Sequence, residues 1–478
     1  MCMKEKILFK LIYLTFPCLI LASCSGSSSN KTKLILTEAP GSITLSPDYL
    51  SGVSWRYLPG ARISEFTLNK PGSARILTKD FYSACFPDIS YDGKSMIFAG
   101  QLSKGDIWQI WEMKLGNGKY RQITSSKEDC TDPSYLPGGR FTFSKHTIND
   151  TVRNSHCLYT CSLNGSDLKQ ITFSPQSHFA STILKDGRIL TIVTQTFPEK
   201  GDPVLMVMRP DGTKADVFYK NISGQSGFLN SACETDDGRI IFVESGKNGL
   251  TGGNLVSIEY SRPLFTRKEL STGSDGDFLY ALPLADNDFL VSFRKKGSDL
   301  FGLYDFNVSE SSVGREVFKN PGYNIIDVAV AGAYNRPKKL PSEVDLMVKT
   351  GLILCQDVNF QEHLFSHGNT SKVKADRIEV LGVDSTYGVV KVEKDGSFYL
   401  KVMADKPFRI RALDEKGNPV GPACSWLWLR PNERRGCVGC HEDPEFAPEN
   451  RVSFAIRKDP VIIPVHITEI KEKIVELE

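Results

Sequence analysis

The sequence predicts an all-β protein: a six-bladed β-propeller, then a small β-sandwich, then a C-terminal segment built around one Cys-x-x-Cys-His string. Three observations predict it. A glycine turn followed by a β-rich run recurs at Gly93, Gly139, Gly187 and Gly238, with a degenerate copy at Asn287; the spacings are 46, 48, 51 and 49 residues. Between these turns lie a second alternating strand and a short closing strand, such as Arg121-Gln122-Ile123-Thr124 and Lys169-Gln170-Ile171-Thr172. Four short strands per period of this length make one propeller blade. The third observation is a change of pattern after the proline-rich join Pro337 to Pro341, where the long period ends and hairpin signals take over.

The N-terminus reads as an export signal. Lys4 and Lys6 precede an apolar stretch from Ile7 to Ala22, interrupted by Lys10, Thr15 and Pro17. It ends Leu21-Ala22-Ser23-Cys24, which resembles the lipobox of bacterial lipoproteins. The resemblance implies a signal peptide over 1–23, cleavage before Cys24 and lipidation of its sulfur. Residues 24–38, with the run Ser25 to Ser29, read as a lipidated flexible tether. The expectation is a cell-envelope protein held by lipid at the outer membrane or periplasmic face, with the membrane as its first partner.

Charge sharpens this. The 478 residues carry a formal +2, but Lys4, Lys6 and Lys10 against Glu5 account for it, leaving 55 basic and 55 acidic residues beyond position 23. A balanced body argues against nucleic acid as partner, because that binding rests on clustered Lys and Arg. Several enzyme signatures are missing as well. Gly93-Lys94-Ser95 is not a phosphate loop, because Asp88 stands where a glycine is required.

The propeller is expected over 39–336. The half-repeat before residue 80 and the stretch 300–335 complete the sixth blade. Pro87-Asp88-Ile89-Ser90-Tyr91-Asp92-Gly93-Lys94 resembles the hallmark turn of TolB-type propellers. Cys130 to Arg140, with Cys157-Leu158-Tyr159 and Asn164-Gly165-Ser166, resembles the propeller of the hydrazine synthase alpha-subunit family. Cys157 and Cys161 share a face of one strand roughly 13 Å apart, too far to bridge each other. Cys85 and Cys130 begin comparable strands. Buried small residues are the leading reading of these cysteines, with a Cys130–Cys157 disulfide or metal ligation as alternatives.

A sandwich is expected over 345–430. Phe398, Leu400 and Val402 alternate with polar neighbours, as do Phe408, Ile410 and Ala412, around turns at Lys394-Asp395-Gly396 and Asp414 to Asn418. Trp426 and Trp428 share a face of the last strand and read as core or interdomain packing.

The remaining segment, 431–478, carries the chemistry. Cys437-Val438-Gly439-Cys440-His441 has the spacing of c-type haem attachment. Two thiols add to the two vinyl groups of one porphyrin, and the adjacent histidine reaches the iron. Cys437 and Cys440 are thus the candidate haem-binding residues and His441 the candidate metal ligand. Alternatives are a disulfide or redox pair, or a zinc site completed by Cys424. The run Trp426 to Glu442 again resembles the hydrazine synthase alpha family, which implies one haem c here, with zinc as a further metal at His441. In that family a tyrosine four residues after the motif histidine serves the iron; Glu445 stands there in this sequence. His466 and Glu445 are the named candidates for a further metal ligand, with His363, His367, Met347 and Met403 behind them.

The function these features imply is an exported, lipid-anchored, monohaem c-type cytochrome-like protein. It would transfer electrons to a redox partner protein or bind a small ligand at the haem, with the propeller as docking platform. Oxidoreductase character follows from the resemblance alone. The alternative is a non-enzymatic propeller scaffold lipoprotein whose Cys/His cluster binds zinc or forms a disulfide.

Overall fold

Six four-stranded antiparallel sheets follow one another along the chain and surround a common axis in the computed structural model. The structure describes residues 32–41, 57–70, 72–149, 152, 154–195, 197–221, 227–246, 252–284, 288–360, 373–439 and 450–464. Blade 2 runs Ser83–Ile89, Ser95–Gln101, Gln109–Lys114 and Tyr120–Gln122, and blades 3 to 6 repeat that order through Phe318. The first strand of each is innermost, against the first strands of its neighbours. The glycine turns join first to second strands, with Gly93, Gly138, Gly139, Gly187 and Gly238 all at positive φ. Asp286 and Asn287 lie outside the described residues.

Blade 1 closes the ring. Its order is Tyr323–Val330, Lys33–Pro40, Arg62–Thr67, Arg75–Ile76, so a strand from the end of the repeat pairs antiparallel with a strand from its beginning. Lys33–Pro40 begins inside the stretch read as a tether. It is a strand because Leu34, Ile35 and Leu36 are fully buried between the two partners, which a solvated tether could not offer. Each such side chain contributes about 1.5–3 kcal/mol on burial.

After blade 1 the chain crosses one face of the propeller as a strap, residues 331–341. Tyr334 donates its N–H to the Tyr91 carbonyl at 3.1 Å and its hydroxyl to the Ile89 carbonyl at 2.7 Å; the Lys338 N–H reaches the Lys185 carbonyl at 3.1 Å. Glycine is required beneath it for more than turn geometry. A Cβ on Gly93 would sit 2.6 Å from the backbone of Gly332, and one on Gly187 would collide with the Lys338 carbonyl.

The sandwich has a four-stranded sheet ordered Arg434–Gly439, Thr350–Asp357, Phe398–Met403, Val461–Ile462 and a three-stranded sheet ordered Thr386–Lys391, Arg377–Leu381, Arg409–Leu413. Phe398, Leu400, Val402, Phe408, Ile410 and Ala412, the alternating residues of the sequence, form its core with Ile353, Cys355 and Leu429. Two of these strands come from the segment beyond 430. The sheet therefore runs on to Ile462, because Arg434–Gly439 finds a parallel partner in Thr350–Asp357 and buries that strand's second edge. Among the described residues no helix is long and apolar enough to cross a membrane.

Candidate functional site

The strand that carries the first motif cysteine is launched by a fixed turn. Asn432 takes φ +67°, a left-handed conformation that asparagine tolerates, and donates its N–H to the Thr350 carbonyl at 3.0 Å. Glu433 turns its carboxylate inward. One oxygen accepts the Arg430 N–H and the other the Lys214 N–H of blade 4, both at 2.8 Å. The Arg430 guanidinium donates to the Asp211 carbonyl at 2.9 Å and to the Asp405 carboxylate at 2.6 Å, and lies 4.6 Å over the ring of Phe173. Burial raises Asp405 above the usual carboxylate range, against the pull of Arg430. This cluster binds the motif strand to the propeller.

The tryptophans complete the junction. Trp428 is buried in a propeller cluster with Leu136, Leu158, Ile189, Met206 and Met208. Its ring meets the edge of His178 at 6.1 Å. Trp426 donates its indole N–H to the Phe197 carbonyl at 3.1 Å. Both residues are interdomain packing, the role their sequence position suggested.

From Arg434 the strand runs parallel to Thr350–Asp357, with Cys437 beside Cys355 and Gly439 beside Asp357. Cys437 is half-buried on an edge strand, and a Cβ on its neighbour Gly436 would meet nothing within 4 Å. Gly439 is the reverse: a Cβ there would collide with the Phe360 carbonyl. Gly436 faces open space on the side of the strand opposite the thiol, and Gly439 lets the chain pass closely. Cys437 packs partly against the sandwich core on the outermost described strand of its sheet, a place from which a thiol can still reach a planar group lying along that side of the domain, so the described half of the motif is compatible with haem attachment.

Cys440, His441, Glu445 and His466 lie outside the described residues, as do Cys24, His363 and His367. Met403 pairs with Thr350, whereas Cys355 pairs with Phe398. Met403 is thus five residues, roughly 17 Å, along the sheet from the Cys437 end, and it is solvent-exposed. That position removes it from the ligand candidates. Met347 is 87% exposed. Cys424 accepts the Ile410 N–H at 3.1 Å, and burial pushes its thiol up, so its visible role is to hold strand Arg409–Leu413. Among the described residues no group of three or more His, Cys, Asp or Glu could hold a metal ion.

Cys130, Cys157, Cys161 and Cys233 are free thiols. Cys130 and Cys157 both pair with Lys145, from opposite sides. Two strand spacings, about 9.6 Å, separate them, beyond the reach of a disulfide. Sequence reasoning did not find the Cys355–Cys437 neighbourhood or the Glu433–Arg430 cluster. Their partners are dozens to hundreds of residues away, and no local pattern marks them.

Comparison with known proteins converges on one family. Residues 356–442 match the model for the hydrazine synthase alpha subunit middle domain, a span that covers most of the sandwich and the whole Cys-x-x-Cys-His string. The hydrazine synthase subunit alpha of Kuenenia stuttgartiensis is 26% identical over 515 aligned residues, covering 80% of this chain. The chain spans 63% of that relative's length. The solved Kuenenia stuttgartiensis hydrazine synthase superposes with a TM-score of 0.74 at 22% identity, over 89% of this chain and 71% of that one. TolB from Acinetobacter baumannii superposes with a TM-score of 0.44 at 13% identity, over 63% of this chain and 66% of its own.

Proposed function

We propose that this chain, similar to the hydrazine synthase alpha subunit in sequence and fold, is an exported, lipid-anchored redox protein carrying one c-type haem at Cys437, Cys440 and His441. The observation that carries the reading is the Cys-x-x-Cys-His string itself, which lies inside the span that matches the hydrazine synthase alpha subunit middle domain and whose first cysteine sits, half-buried, on the outermost described strand of its sheet. Bound haem would supply one-electron exchange, or an iron position for a small ligand.

The chain's own residues do the positioning. Cys437 and Cys440 would tether the porphyrin and His441 would face its metal. Glu433, Arg430 and Trp428 fix the motif strand against blades 3 and 4, so the site has a rigid support. The propeller then offers a docking platform for a redox partner, and Cys24 the anchor to the membrane.

The test is the absorption spectrum of reduced protein in alkaline pyridine, after expression in a host competent for cytochrome c maturation. One haem per chain with two thioether bonds is the expected result, with covalent haem staining lost in Cys437→Ser/Cys440→Ser. Colourless protein that holds one equivalent of zinc would overturn it in favour of a scaffold lipoprotein.

A further inference from the structure

Cys355 and Cys437 are far apart in sequence and side by side in the sandwich. They are direct partners in the parallel ladder between Thr350–Asp357 and Arg434–Gly439. Partners in register point to the same face of a sheet, and here that face is the core side: Cys355 is buried in the sandwich core and Cys437 packs against it. Neighbouring strands lie about 4.8 Å apart. A disulfide joins residues whose Cα atoms are about 4.4–6.8 Å apart, so this pair is within reach. Among the described residues no other two cysteines are ladder partners.

The two thiols differ in access. Cys355 is 1% exposed, whereas Cys437 is half-buried. Among the described residues the Cys437 strand has one sheet partner, so it can shift toward Cys355 without breaking a second ladder. Its backbone is extended through Gly439. Three residues of strand span about 10 Å, so this conformation favours a partner on the neighbouring strand over Cys440, three residues along.

We propose that Cys355 and Cys437 form a disulfide in the haem-free chain. The inference rests on the proposed function for its setting, since an exported chain meets disulfide oxidants. The more accessible Cys437 thiolate attacks one sulfur of an incoming disulfide and displaces a first thiolate. The Cys355 thiolate then attacks the Cys437 sulfur, forms the Sγ–Sγ bond and displaces the second. The two cysteines give up two protons and two electrons, and the incoming disulfide takes them and leaves as two thiols. Until a thiol reductant reverses the exchange, Cys437 has no thiol to add to a vinyl group. Cys355 thereby controls when haem can be attached.

The test maps the cysteines of the full chain, exported from a host without cytochrome c maturation. The protein is alkylated with iodoacetamide in denaturant, without reductant, then digested and read by mass spectrometry. One species joining the Cys355 and Cys437 peptides, separated by dithiothreitol, is the expected result. It should persist in Cys440→Ser and be lost in Cys437→Ser. Alkylation of both Cys355 and Cys437, or linkage of Cys437 to Cys440 instead, would overturn the proposal. In a maturation-competent host with limiting thiol reductant, Cys355→Ala should raise covalent haem per chain about twofold or more. If that variant does not fold, Cys355→Val keeps an apolar side chain in the core and gives the same reading. Unchanged haem would overturn the control of attachment. Haem absent from every form would overturn the haem reading alone, because the peptide map decides the disulfide by itself.

Discussion

Glu433 accepts the backbone N–H of Lys214 at 2.8 Å, across 219 residues of sequence and across the boundary between sandwich and propeller. The same carboxylate accepts the Arg430 N–H, four residues short of the strand that carries Cys437. One buried side chain therefore ties the motif strand to both its own turn and blade 4.

Glu433→Ala should destabilise the protein by about 1–3 kcal/mol, because it strands the buried Arg430 N–H and the partly buried Lys214 N–H beside an arginine. Glu433→Gln should cost less, since an amide oxygen still accepts. Urea unfolding followed by tryptophan fluorescence checks both, Trp426 and Trp428 being at the junction.

The two motif glycines should behave oppositely. Gly439→Ala places a Cβ against the Phe360 carbonyl and should lower both stability, by about 2 kcal/mol, and the yield of covalently attached haem. Gly436→Ala meets open space and should change either little. Haem stain per unit of protein in denaturing gels separates the pair.

Acid stability should report His178 against Asp88. Burial lowers His156 and His178 from 6.5 to about 3, so the folded state excludes protons that the unfolded chain binds. Their contribution is present above pH 6.5 and is lost as pH falls toward 3. Burial raises Asp88 from 3.8 to about 7, so its contribution has the opposite sign: present below about pH 4 and lost as pH rises through 7. His178→Leu should flatten the loss of stability between pH 6.5 and 4, and Asp88→Asn should steepen it. Thermal melts across that range test the signs.

Cys24→Ser should release the protein from the membrane fraction without changing its fold. Cys24 precedes the first blade strand at Lys33, and the residues beyond position 23 are electrically balanced. Detergent phase partitioning of the two forms measures it; retention of Cys24→Ser in the detergent phase would point to another anchor.

The repeat was legible because a propeller blade is a local object. Asp92-Gly93 and Asp186-Gly187 mark turns that need positive φ, and Phe398, Leu400 and Val402 alternate because a strand alternates. The Cys437-x-x-Cys440-His441 string was visible for the same reason, since its five residues are contiguous in sequence.

Other features had no local trace. Lys33–Pro40 follows a polar, serine-rich stretch, and its pairing with Arg62–Thr67 on one side and Tyr323–Val330 on the other makes it a blade strand. Arg434–Gly439 contains two arginines and two glycines and reads as a loop; a parallel partner, Thr350–Asp357, makes it a strand.

By itself, the sequence determined the fold class and the blade period, each written in residues close together along the chain. The tertiary structure alone decided that the motif strand belongs to the sandwich sheet, that Cys437 lies beside Cys355, and that the Glu433 carboxylate meets blade 4. Those facts depend on which distant backbone edges and buried charges meet once the ring closes, and pairing energies between segments hundreds of residues apart leave no periodicity to read.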